Sequence, residues 1–74
     1  MYSEAQKDFL TRFGMHLEMV RKQKGLSFRK LAQRCTIDYA NLKKYEKGEV
    51  NISALTMLEL AEALEISVKE LMDF

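Results

Sequence analysis

The chain has 74 residues, 12 of them basic and 11 acidic, for a net charge of +1. Hydrophobic residues make up 47% of it, enough for one modest core, and the chain is too short for a second. A single Cys excludes an internal disulfide, one Cys with one His excludes a zinc site of ordinary ligand count, and no apolar run nears the roughly 20 residues of a membrane span.

The first ten residues, MYSEAQKDFL, hold no apolar signal segment, so a soluble protein of the reducing cytoplasm is expected. The chain reads as helical throughout, with no Pro and scattered β-branched residues. Helix 1 is expected from about Ser3 to Lys24, with Ser3 and Gln6 spaced as a capping box. Leu10, Phe13, Leu17 and Val20 recur on one of its faces. Gly14 inside it should cost about 1 kcal/mol relative to Ala. The helix is therefore expected either to begin near Lys7 or to bend at Gly14.

A rhythm follows. An apolar residue precedes a capping residue, and another apolar residue stands four positions after the cap. It appears as Leu26-Ser27 with Leu31, Ile37-Asp38 with Leu42, Ile52-Ser53 with Met57 and Ile66-Ser67 with Leu71. The cap oxygen takes a free backbone N–H while the apolar pair fixes the angle of entry. These starts give helix 2 over Phe28–Cys35, helix 3 over Tyr39–Lys47, helix 4 over Ala54–Leu64 and helix 5 over Val68–Asp73. Ser67 and Glu70 add a second capping box. Gly25 and Gly48 follow basic residues and suit left-handed helix ends. Leu31, Ala32 and Cys35 are expected to face inward, as are Leu42 and Tyr45, Met57, Leu60, Ala61 and Leu64, and Val68 and Leu71.

Charge divides along the chain. Residues 20–48 hold nine bases and two acids, a net +7, whereas residues 49–74 hold one base and six acids, a net −5. A polyanionic partner is thus expected for the middle of the chain only. Helices 2 and 3 are joined by just Thr36, Ile37 and Asp38, with small Ala32 where another helix must come close. This is the spacing of a helix-turn-helix, whose second helix enters the major groove. The outward face of helix 3 then presents Ala40, Lys43, Lys44 and Lys47, with Tyr39 and Asn41 at its start. Long cations suit phosphates or guanine edges, Asn suits adenine or phosphate, and Tyr and Ala suit thymine methyls.

From about Phe13 to Leu71 the sequence resembles the lambda-repressor-like, or Xre/Cro-type, helix-turn-helix proteins of bacteria and phages. The segments VRKQKGLSFRKLAQRCTIDYANLKKYEKGE and NISALTMLELAEALEISVKEL carry the resemblance. It implies an all-α, compact five-helix bundle, one domain over residues 1–74 with its motif at about 28–47, and sequence-specific binding of double-stranded DNA as a dimeric transcription regulator. Carried over by position, base contacts fall on Tyr39, Ala40, Lys43 and Lys44, and phosphate contacts on Phe28, Asn41 and Lys47, with Arg29 nearby. Arg21 and Glu46 match a structural ion pair between helices 1 and 3. Two positions depart from the pattern. Phe28 stands where the family often has a phosphate-binding Gln, leaving only backbone N–H groups or a place at the core edge. Thr36 stands where the family favours Gly, so the turn is expected to be strained or built differently.

The remaining residues read more plainly. His16 is expected on the surface of helix 1, Cys35 as a small core hydrophobe and Tyr45 as a half-buried anchor. Leu55, Leu58, Met72 and Phe74 are left without a place in the core. Such an apolar patch marks an interaction site, and a homodimer through helices 4 and 5 is expected. The alternative is that the start of helix 1, with Tyr2 and Phe9, covers the patch. No cluster of His, Cys or carboxylates and no phosphate-binding loop points to an enzyme, a metal or a cofactor. The competing function is a protein-interaction module, such as an antitoxin-type partner-binding protein that works through acidic helices 4 and 5.

Overall fold

Each helix begins where a short polar side chain takes over a free backbone N–H. The computed structural model describes residues 1–74 as α1 (Glu4–Gln23), α2 (Phe28–Gln33), α3 (Tyr39–Lys47), α4 (Ala54–Leu64) and α5 (Val68–Leu71), with no strand. The caps are Ser3, Ser27, Asp38, Ser53 and Ser67. Their side-chain oxygens accept from the N–H of Gln6, Lys30, Asn41, Thr56 and Glu70 at 2.8–3.1 Å. Gln6 and Glu70 reach back to the N–H of Ser3 and Ser67, which completes both capping boxes.

All five helices share one core. Leu17, Leu31, Leu42, Leu60, Leu64 and Leu71 are fully buried, so every helix contributes at least one leucine. Burial of such a side chain is worth about 1.5–3 kcal/mol. Ala32, Cys35, Tyr45 and Met57 sit half-buried at its edge. Val68 does not face inward: it is exposed. Helix α5 has a single turn, Leu71 occupies the inward position, and the staple closes through Ile66. Ala63, which apolar periodicity did not single out, is buried. No helix is long and apolar enough to cross a membrane.

Helix α1 does not wait for Lys7 to begin. It runs from Glu4 through Gly14 to Gln23. The glycine answers a tertiary demand: a Cβ there would lie 2.6 Å from the carbonyl oxygen of Tyr45 and nearer still to that of Glu46. The last turn of α3 thus packs directly on the α1 backbone. Gly48 is the reciprocal feature. It closes α3 in the left-handed region, φ 70°, and a Cβ on it would lie 2.7 Å from Thr11 Cα.

Helix α2 ends at Gln33, two residues before Cys35. The Arg34 N–H bonds the Leu31 carbonyl in a tightened last turn, and the next free donor goes elsewhere. The Thr36 N–H donates to the Glu59 carboxylate of α4, and the Thr36 hydroxyl donates to the same oxygen at 2.7 Å. The turn therefore needs no left-handed residue at Thr36, and Thr36 has none, because the one non-glycine residue at positive φ is Glu65. Helix α5 similarly closes at Leu71 rather than Asp73.

Backbone and side-chain hydrogen bonds from Thr36 hold the Glu59 carboxyl below the usual carboxylate range. Its folded-state pKa is thus lower than in the unfolded chain. The resulting stabilisation is complete above the ordinary carboxylate value and is lost as pH falls through the folded value. Glu59→Gln should melt lower than wild type at pH 7, and the gap between the two melting temperatures should close as the pH falls below the ordinary carboxylate range and through the lowered folded-state value. A constant gap across that range would mean that the anion contributes nothing to the turn.

Candidate nucleic-acid interface

Because α2 ends early, five residues, Arg34 to Asp38, rather than three join the two short helices and leave α3 standing outward, with Leu42 fully buried beneath it and Tyr45 half-buried. The opposite face carries the sequence-nominated residues. Tyr39, Ala40, Asn41, Lys44 and Lys47 are exposed, and Lys43 is half-buried. No acidic group lies within salt-bridge distance of Lys43, Lys44 or Lys47, although Lys7, Arg12 and Lys22 pair with acids along α1. Arg29 is exposed on α2 beside this face, and with Ala32, Gln33 and Tyr39 it lines an open cleft of about 440 Å³. Unpaired cations gathered on one helix face suit a phosphate backbone, where each neutralised charge releases a counterion.

The position of α3 is fixed from behind by Arg21 and Glu46. Arg21 Nε donates to Glu46 Oε2 at 2.6 Å and Nη2 donates to Oε1 at 3.2 Å, a bidentate pair. Arg21 Nη1 donates to the Leu26 carbonyl at 2.8 Å. The two side chains are 7% and 5% exposed, so the pair is shut away from water. Phe28 lies against it, its ring centroid 4.1 Å from the Arg21 guanidinium carbon. Its ring does not reach toward solvent as a Gln would; it is half-buried on the core edge.

Helix-face reasoning missed Glu59. A lone acid between Leu58 and Leu60 looks solvated, and nothing local shows that it clasps Thr36. Cys35 is half-buried, its thiol bonded to the Leu31 carbonyl, and burial pushes the thiol above its ordinary pKa. His16 is half-buried rather than free on the surface: Nε2 lies 2.9 Å from the Glu70 carbonyl oxygen, and its ring stands beside Phe74.

The four residues nominated for a dimer contact separate. Leu55 is 78% exposed and Leu58 45% exposed on α4. Met72 and Phe74 pack against the core of their own chain. The Phe74 ring meets Phe9 at 5.4 Å and Phe13 at 6.1 Å. The start of α1 covers part of this side: the Tyr2 hydroxyl accepts from the Asn51 N–H, and Tyr2 and Phe9 wall a cleft with Ile52 and Met57. Leu55 and Leu58 stay uncovered.

Comparison with known proteins places this architecture. No curated protein matches the chain. The crystal structure of the restriction-modification controller protein C.AhdI from Aeromonas hydrophila superposes with a TM-score of 0.81 at 39% identity, over 84% of this chain and 94% of that one. A helix-turn-helix family model matches residues 17–71, from the middle of α1 to the end of α5. With its five capped helices, its short turn and its outward basic helix, the chain belongs to the lambda-repressor-like helix-turn-helix family of DNA-binding regulators, and not to an enzyme family.

Proposed function

We propose that the chain is a homodimeric, sequence-specific transcription regulator that lays α3 in the major groove of double-stranded DNA. The observation that carries this reading is the outward face of α3, where Lys43, Lys44 and Lys47 stand without acidic partners beside exposed Tyr39, Ala40 and Asn41. Tyr39, Ala40, Lys43 and Lys44 are assigned to base edges. Arg29, Asn41 and Lys47 are assigned to phosphates, with Phe28 contributing only its backbone N–H. A second copy packs on Leu55 and Leu58, with Met72 and Phe74 bordering the contact. Two-fold pairing then sets two α3 helices about 34 Å apart, one helical turn of a pseudo-palindromic operator. Likeness to C.AhdI supports a controller role beside a restriction–modification gene pair.

Selection from random duplex DNA at two salt concentrations tests this. Enrichment of two symmetric half-sites supports the dimeric regulator. Weak, salt-sensitive binding with no enriched sequence would move the function to a protein partner at α4 and α5. Within that experiment Lys47→Ala should weaken binding to every sequence alike and lower the salt slope by about one. A shifted sequence preference would place Lys47 among the base-reading residues instead.

A further inference from the structure

Phe28 is the residue whose side chain fits least with the binding face, since it can neither bond a phosphate nor read a base edge. Its surroundings give it another task. One side of its ring lies on the Arg21 guanidinium, at 4.1 Å, and that guanidinium is itself locked by two bonds to Glu46 and one to the Leu26 carbonyl. On the other hand the ring meets Tyr39 edge to face, at a centroid distance of 5.7 Å and an interplanar angle of 68°. Beyond Tyr39 comes Lys43, its ammonium 5.3 Å from the Tyr39 centroid. The result is one continuous chain of contacts, Glu46–Arg21–Phe28–Tyr39–Lys43. It begins at a buried ion pair and ends at two of the outward residues of α3. Aromatic pairs favour this offset or T-shaped geometry, and cations favour the face of a ring.

Tyr39 is the first residue of α3 and is 43% exposed. Without a neighbour, a tyrosine at an exposed helix start samples several χ1 states. Phe28 removes that freedom. The Tyr39 ring is held as one wall of the cleft that Arg29, Ala32 and Gln33 complete. A wall of aromatic carbon beside an alanine methyl suits the 5-methyl group of thymine. We infer that Phe28 is a positioning residue for sequence readout: anchored on Arg21, it holds the Tyr39 ring in the orientation that reads one thymine of each half-site.

This inference rests on the DNA reading proposed above, and the test separates the two. Selection from random duplexes is run with wild type, Phe28→Leu, Phe28→Tyr and Tyr39→Ala, and the enriched site is then assayed with the critical thymine replaced by uracil. Phe28→Leu should lose about tenfold in discrimination at one base pair per half-site, the same position that Tyr39→Ala loses, the size of one mismatch. Its salt slope should stay that of wild type. Phe28→Tyr keeps the ring and should keep the preference. Uracil should weaken wild type and leave Phe28→Leu nearly unaffected. A Phe28→Leu protein with wild-type preference, beside a Tyr39→Ala protein that has lost it, would overturn the inference and leave DNA binding intact. No enriched sequence with wild type would sink the DNA reading and this inference with it. One measurement needs no variant to fold: nuclear Overhauser contacts between the Phe28 and Tyr39 rings in free wild type. Their absence would also overturn the positioning role.

Discussion

Glu46→Ala should lower stability by about 3–5 kcal/mol, on the order of 20 °C in melting temperature for a domain of this size. The size follows from what stays behind. Arg21 is 6% exposed, and its guanidinium donates twice to Glu46 and once to the Leu26 carbonyl. No buried side-chain nitrogen or oxygen of the protein lacks a partner. Removal of the carboxylate leaves a positive charge enclosed, with one carbonyl and the Phe28 face for company. A small domain has a total stability of about 5–15 kcal/mol, so the variant sits near its unfolding threshold. Replacing both partners with apolar residues, Arg21→Met with Glu46→Leu, should recover much of the loss, because no unpaired charge then remains buried. Urea unfolding of the three proteins checks this. A Glu46→Ala transition that coincides with wild type would show that the pair does not hold α3 in place.

The caps and staples that define the helices are legible because their chemistry is local. Ser27 bonds a donor three residues away, and Leu26 and Leu31 stand within one turn, so spacing alone identifies the start. The same holds for α3 and α4, whose limits coincide with those expected from sequence. Helix ends are less legible where the deciding contact is distant. The end of α2 depends on Glu59, 23 residues after Thr36, and a propensity argument at Thr36 looks for a left-handed residue that the clasp makes unnecessary. Val68 shows a further limit: periodicity cannot assign two inward positions to a one-turn helix.

Residue types on the basic face are legible for a similar reason. An i, i+3, i+4, i+7 spacing puts Ala40, Lys43, Lys44 and Lys47 on one side of α3 whatever packs behind it. The support beneath that face is not legible. Arg21, Phe28 and Tyr39 are spread over 19 residues of sequence, and only the crossing of α1, α2 and α3 stacks them. Phe74 is the converse. As a terminal aromatic it resembles part of an exposed patch, yet Phe9, Phe13 and His16 give it a place within its own chain. The exposed apolar surface of α4 therefore narrows to Leu55 and Leu58.

Gly14→Ala should destabilise the protein even though it improves the helix. In the interior of an exposed helix, Ala is better than Gly by about 1 kcal/mol. Here the added Cβ would meet the carbonyl oxygens of Tyr45 and Glu46, the former at 2.6 Å, and both belong to backbone that cannot rotate away. Helix α3 must lift from α1. Overpacking of this kind costs typically about 1–3 kcal/mol and more where the obstacle is rigid. Lifting α3 also strains the Arg21–Glu46 bonds, which are made across the same two helices. The net effect should be a loss of about 2 kcal/mol or more, seen as a drop on the order of 10 °C in melting temperature. Gly25→Ala is the control. Its Cβ would meet nothing within 4 Å, so only the positive φ of 70° opposes it, at about 1 kcal/mol. Gly14→Ala should therefore melt below Gly25→Ala. If it melts above wild type instead, helix propensity outweighs the crossing, and α1 and α3 are not held at the distance on which the placement of α3 depends.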